Sequence, residues 1–138
     1  MGRTMQLILM TMGALLIGTF STARAAEPPP AAKELYLKYC SACHGESGKG
    51  DGVVSGLMTP RPTDLTQIAK KAGGQFPFTQ VMQAIDGTKT VRAHGSSDMP
   101  VWGESFRREM PGESLSAQER LRGRLMLITE YVASIQLQ

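Results

Sequence analysis

The chain of 138 residues contains two cysteines, which lie three positions apart, and a histidine follows the second: Cys40-Ser-Ala-Cys43-His44. Two cysteines are too few for a scaffold stabilised by several disulfides. A zinc site needs further ligands, and His94 is the only other His or Cys in the sequence. A disulfide between Cys40 and Cys43 has poor geometry within a helix. A thioredoxin-like motif requires a βαβ context, which this sequence lacks.

The residues around this motif predict a helix, and the spacing suits one chemistry. Apolar residues recur three and four apart from Ala31 onward: Ala32, Leu35, Tyr36, Tyr39, Cys40 and Cys43. On a helix both thiols share one face, where they can add to the two vinyl groups of one porphyrin edge. His44 then reaches the iron as proximal ligand. The motif is therefore the attachment signature of haem c.

The first 25 residues predict an export signal. They contain a positive start at Arg3, fourteen uncharged residues (7–20), and the small-x-small sequence Ala23-Arg24-Ala25. Fourteen residues fall short of the roughly 20 that span a bilayer. We expect cleavage before Ala26, a periplasmic location in a bacterium, and no stable membrane insertion of the mature protein. A retained N-terminal anchor is the alternative.

The mature chain is small and nearly neutral. Removal of Arg3 and Arg24 leaves 13 basic and 12 acidic residues, a net charge of +1. That balance argues against the dense basic patch of a nucleic-acid-binding protein. About 113 residues form one domain, which buries only about 60–70% of its unfolded surface, so a large apolar cofactor would supply missing core. We predict a Pro-rich leader at 26–31 and one folded domain at 32–138.

The remaining sequence predicts helices and no strand. The glycine-rich segment 45–56 predicts a loop, and 88–100 is predicted to be irregular. Local signals predict three further helices: a short one over 64–71 capped by Thr63, one after Pro77 that ends at Gly87, and a long C-terminal one that opens on the capping box Ser116-Ala-Gln-Glu119.

The second axial ligand of a haem can be sought among the methionines. Removal of the signal leaves five: Met58, Met82, Met99, Met110 and Met126. Histidine opposite a thioether gives an electron carrier of raised potential. Met82 and Met126 lie on predicted helices, where core packing is the ordinary role. Met58 and Met110 are each followed by a proline within two residues, so local structure does not exclude them.

Met99 is the favoured ligand. It lies in irregular chain directly before Pro100, where no helix turns the sulfur away from a haem. His94 is the alternative, since haems with two histidine ligands exist. Its competing role is a hydrogen bond to a haem propionate.

Four motifs and the terminal helix carry a family resemblance. The motifs are Tyr36-Leu-Lys-Tyr-Cys40-Ser-Ala-Cys43-His44-Gly45, Gly48-Lys-Gly-Asp-Gly52, Arg61-Pro-Thr-Asp-Leu65 and Asp98-Met99-Pro100-Val101-Trp102-Gly103. By these features the mature chain resembles, over nearly all of its length, the class I c-type cytochromes, in particular the small bacterial monohaem proteins.

This resemblance implies a fold, a cofactor and a function. The expected fold is all-α, with helices around one covalently attached haem c and the N- and C-terminal helices crossing. By the resemblance, Cys40 and Cys43 form two thioethers, His44 is the proximal iron ligand and Met99 the distal one. The implied function is one-electron transfer between respiratory or dehydrogenase-type partner proteins, without enzymatic activity, after attachment of the haem by the cytochrome c maturation machinery. The alternatives are a subunit of a larger oxidoreductase and a ligand-binding protein with an open sixth site.

The sequence departs from the family pattern at one position. Family members often have proline directly after Gly-Asp-Gly, and its carbonyl accepts the other N–H of the proximal imidazole. Here Val53 occupies that position, and its backbone carbonyl can accept the same bond.

Several basic and aromatic residues are weaker candidates. Arg61 and Arg92 can donate to haem propionates, although exposed surface is an equally good interpretation. Trp102 is expected to pack on the haem edge. Five lysines are candidates for a docking rim: Lys33, Lys38, Lys49, Lys70 and Lys71.

Overall fold

The computed structural model describes residues 27–88, 99–110, 112 and 114–137. Within these ranges the chain is helical and contains no strand, which confirms the all-α prediction. The helices are α1 (Pro30–Tyr39), α2 (Ser41–His44), α3 (Ile68–Lys71), α4 (Phe78–Asp86), α5 (Trp102–Glu109) and α6 (Leu115–Ser134), with 3-10 turns at Ser55–Leu57 and Leu65–Gln67. None of these helices is both long and apolar enough to cross a membrane.

The first and last helices of the described chain pack against each other and form much of the core. Tyr36 of α1 and Ile128 of α6 are completely buried. The ring of Tyr36 lies 4.6 Å from that of Tyr131, centroid to centroid. This contact holds the C-terminal end of α1, and therefore the cysteine motif that follows it, against α6.

The start of α6 differs from the prediction by two residues. Ser114, rather than Ser116, is the N-cap: its backbone is extended and its hydroxyl accepts a 3.3 Å bond from the N–H of Ala117. Ser116 already lies inside the helix, so its capping box with Glu119 does not form. Ser116 instead places its hydroxyl 3.0 Å from that of Ser114.

The turn before α3 is capped by Asp64, whereas the sequence predicted its neighbour Thr63 as the cap. The carboxylate of Asp64 accepts bonds from the backbone N–H (2.9 Å) and the hydroxyl (2.6 Å) of Thr66. This local competition favours a 3-10 turn at Leu65–Gln67, and α-helix begins only at Ile68. The predicted cap, Thr63, has another role, described below.

Helix α4 is confirmed, whereas α5 has no counterpart in the sequence interpretation. Gly87 ends α4 with φ +79°, a left-handed conformation that glycine adopts without strain. Helix α5 has no side-chain cap, and Phe106 is its one completely buried large side chain. The Phe106 ring packs 4.9 Å from that of Tyr39. Tertiary packing, more than local pattern, thus accounts for α5.

Candidate haem site

The cysteine motif forms a tight turn at the junction of α1 and α2. Cys40 ends α1, and its carbonyl accepts bonds from the N–H of Cys43 (3.2 Å) and of His44 (2.9 Å). The two thiols form no disulfide. Cys40 is buried, and this burial, with the nearby Cys43 thiol as a smaller cause, raises the pKa of Cys40 to about 12. The geometry keeps both sulfurs within one helical turn, as attachment to a single porphyrin edge requires.

An apolar cavity of about 350 Å³ lies beside this turn. Cys40 and His44 form one part of its wall, Ile85 of α4 another, and Ile128 and Val132 of α6 a third. The volume falls within the range of sites that hold small molecules and cofactors. The chain thus surrounds an apolar space that adjoins the first cysteine and the histidine of the motif.

His44 is oriented by a backbone carbonyl from a distant loop. Its Nδ1 lies 2.9 Å from the carbonyl oxygen of Thr63. A carbonyl only accepts, so Nδ1 carries the proton and, in the neutral ring, Nε2 carries the lone pair that can bind a metal. The family resemblance pointed to the carbonyl of Val53, and that expectation is wrong. Val53 is 92% exposed.

The loop brings Thr63 to His44 through backbone contacts. The N–H of Leu65 donates a 2.7 Å bond to the carbonyl of Gly48, and the N–H of Gly50 donates a 2.8 Å bond to the carbonyl of His44. Gly50 has φ +78°, and a Cβ there would overlap the carbonyl of Pro62. The glycine-rich loop therefore lies directly against the segment that carries Thr63.

Met99 is the one methionine of the described residues that lines the cavity. Met82 and Met110 pack against the hydrophobic core, Met58 is half-buried, and Met126 is 49% exposed. Met99 therefore shares the cavity wall with Cys40 and His44, as expected for a second axial ligand, and its bond to iron stays a prediction.

The weaker candidates have different outcomes. Trp102 lies outside the wall of the described cavity and packs on aromatic rings, 5.2 Å from Tyr39 and 5.9 Å from Phe106, centroid to centroid, so its expected contact with the haem edge stays a prediction. Arg61 is exposed and also lies outside the cavity wall. Arg92 and His94 lie outside the described residues, as does the predicted signal.

Two polar residues of the wall were not predicted to face a haem: Gln80 had no predicted role, and Lys71 was predicted to belong to a docking rim. Gln80 lies on the same α4 face as Ala84, and Lys71 ends α3. The one sequence signal for Gln80 was its spacing from Ala84: residues one helical turn apart lie on the same face of a helix.

A buried histidine with an oriented ring, two thiols within one turn and an adjoining apolar cavity define a protein built to hold a covalent porphyrin. The family model described as Cytochrome c matches residues 30–120, about two thirds of the chain, so the chain belongs to the cytochrome c family. Comparisons with curated proteins and with solved structures gave no significant match.

The residues present fit the cofactor of this family, a covalent haem c with its iron. Cys40 and Cys43 would carry the two thioether bonds, and Nε2 of His44 would face the iron. The apolar wall suits a flat hydrophobic ring, which would supply core that the small chain lacks. This confirms the cofactor predicted from the cysteine motif.

Proposed function

We propose that this protein is a periplasmic one-electron carrier of the small bacterial class I kind, with its iron held between His44 and Met99. One observation carries the proposal: Met99 lines the same cavity as His44, while the other four methionines of the mature chain do not. A histidine and a thioether together favour reversible electron transfer over binding of external ligands.

The side chains have separate tasks in this function. The two cysteines fix the cofactor covalently, and the carbonyl of Thr63 holds the imidazole of His44 in one orientation. Ile85, Ile128 and other apolar wall residues give the haem an apolar surface to pack against, and the solvent exposure of the haem is one determinant of the potential. The bound haem supplies the Fe(III)/Fe(II) couple.

The proposed location and partners rest on the sequence. The export signal at 1–25 supports a periplasmic protein, matured there by the cytochrome c maturation machinery. The partners are redox proteins of respiratory or dehydrogenase type, and the protein carries electrons without substrate chemistry. N-terminal sequencing of the purified protein tests the location: we expect Ala26 as first residue, and an uncleaved protein that pellets with membranes would contradict it.

Redox titration followed by visible spectroscopy tests the ligand. We expect Met99→Ala to lower the reduction potential and to change the spectrum, because a thioether ligand raises the potential. Met126→Ala is the matched control, since this side chain is half exposed on α6. An unchanged spectrum and potential in Met99→Ala would refute the ligation, and rapid, tight carbon monoxide binding by the reduced wild-type protein would favour an open sixth site.

A further inference from the structure

The end of α4 and the start of α5 lie in direct contact. Gly103, in the first turn of α5, lies so close to Asp86 that a Cβ there would overlap the Asp86 carboxylate and lie 2.6 Å from the Asp86 backbone carbonyl oxygen. A Cβ at Gly87 would overlap the side chain of Val101 in the same way. Gly103 thus leaves the space that Asp86 occupies, and Gly87 the space that the Val101 side chain occupies.

An ion pair bridges the same contact. The Asp86 carboxylate accepts a 2.9 Å bond from Nη2 of Arg107, which lies one turn after Gly103 on α5. The Asp86 side chain is only 15% exposed, whereas that of Arg107 is 51% exposed. The carboxylate is therefore held between the backbone of α5 and the guanidinium. We name Asp86, Gly103 and Arg107 the α4–α5 clamp.

Both clamped helices lead directly to the cavity. Helix α4 supplies Val81, Ala84 and Ile85 to its wall. Met99 precedes the first residue of α5 by three positions, and Pro100 stiffens that connection. A shift of the α5 start relative to α4 would therefore move the Met99 sulfur relative to the cavity wall.

We infer that the α4–α5 clamp is a positioning device that keeps the Met99 thioether on the iron and so protects the iron from competing ligands. The inference rests on the proposed ligation by Met99. The three residues of the clamp act through Met99 and do not themselves touch the haem site, since none of them lines the cavity.

Imidazole binding to the oxidised, haem-loaded protein tests the clamp. To reach the iron, imidazole must displace the weaker of the two proposed axial ligands, the Met99 thioether. A Cβ at Gly103 would displace the Asp86 carboxylate and press on the Asp86 backbone carbonyl, and we expect Gly103→Ala to raise the imidazole affinity by about tenfold or more. Asp86→Asn leaves the shape intact and weakens only the ion pair, so we expect a rise of about two- to fivefold. Asp86→Asn also serves if Gly103→Ala fails to load haem.

Two matched controls separate the clamp from general effects on helices. Arg108→Gln breaks the exposed pair with Glu104 on the same helix. Gly123→Ala adds a Cβ to a helical glycine that has open space around it. Both controls should bind imidazole with wild-type affinity. Wild-type affinity in Asp86→Asn and Gly103→Ala as well, even with lowered stability, would overturn the inference.

The same variants in a Met99→Ala background show whether the clamp acts through Met99. We expect Met99→Ala alone to raise the imidazole affinity and the clamp substitutions to add nothing further. An undiminished additional rise would mean that the clamp acts on the pocket in general, which refutes the inference while the ligation stands. If Met99→Ala itself leaves affinity and spectrum unchanged, both the proposed ligation and the clamp are wrong.

Discussion

The Nδ1 atom of His44 lies 2.9 Å from the carbonyl oxygen of Thr63, a residue nineteen positions further along the chain. This bond sets the tautomer and orientation of the imidazole and raises its basicity toward a metal. Because the acceptor belongs to the backbone, its position depends on the loop around it, and above all on Gly50.

Gly50→Ala should therefore change the redox properties of the protein. The added Cβ would meet the carbonyl of Pro62 and push the segment with Thr63 away from His44. A weaker bond makes the imidazole less basic, so we expect a higher reduction potential, together with a stability loss of about 1–3 kcal/mol. Redox titration and denaturant unfolding of the haem-loaded protein measure the two effects.

Gly73→Ala is the control for this substitution. Gly73 has nearly the same backbone angle, φ +81°, but open space around it, so alanine adds the same backbone strain without the contact. It should lower stability and leave the potential unchanged. Equal potentials in Gly50→Ala and wild type would show that the loop does not tune the histidine.

Loss of both thiols should abolish accumulation of the folded protein. Cys40→Ala with Cys43→Ala removes both covalent attachments, and the cavity of about 350 Å³ is too large a gap for a small core to tolerate. Periplasmic yield and the visible absorbance of bound haem are the measurements. Ala42→Ser, an exposed change inside the same motif, should accumulate with haem. Normal yields of a folded, haem-free double mutant would contradict the prediction.

The hydroxyl of Tyr36 ties α1 to the residue after the histidine. It is completely buried and donates a 2.7 Å bond to the carbonyl of Gly45, and burial raises the pKa of Tyr36 far above its usual range. Tyr36→Phe leaves that carbonyl without this donor, so we expect a loss of about 0.5–1.5 kcal/mol in the free energy of unfolding. Haem loading should be unaffected. Tyr131→Phe, at a half-buried position whose ring packs on Tyr36, should cost less; equal losses would argue against the hydrogen bond as the cause.

The pair between Arg124 and Glu109 should stabilise the protein at neutral pH and lose this effect in acid. The 2.6 Å bond from Arg124 lowers the pKa of Glu109 below its ordinary value, with smaller contributions from Tyr39 and Lys38. A pKa lowered in the folded state adds stability above the ordinary value, and this stability is lost as the pH falls through the lowered value. Arg124→Gln should therefore be less stable than wild type at neutral pH, with a smaller difference in acid.

The difference in stability between Arg124→Gln and wild type should not vanish in acid. The Arg124 guanidinium also lies 4.8 Å from the centre of the Phe106 ring, and protonation of Glu109 leaves that contact in place. Denaturant unfolding at a series of pH values measures the effect. Arg122→Gln, at an exposed position of the same helix, is the control. A difference between Arg124→Gln and wild type that stays constant with pH would contradict the role of Glu109.

Local patterns predicted much of this protein because the relevant interactions are short in sequence. The spacing of Cys40, Cys43 and His44 indicated the cofactor, and the family match and the cavity agree with it. Gly87 predicted the end of α4, since a left-handed residue after a helix is a local requirement. The exact capping residues, Asp64 and Ser114, were harder to predict from the sequence, because neighbouring polar residues compete for the same N–H groups.

The tertiary structure alone decided the features that join distant segments. A backbone carbonyl is present at every residue, so nothing in the sequence singled out Thr63 as the partner of His44. Helix α5 owes its formation to the buried Phe106, and the contact of Gly103 with Asp86 depends on how two helix ends meet. The sequence by itself determined the cofactor and the helical class, through spacing and periodicity. The orientation of the histidine and the place of Met99 depend on packing between segments far apart in the chain, which local periodicity does not encode.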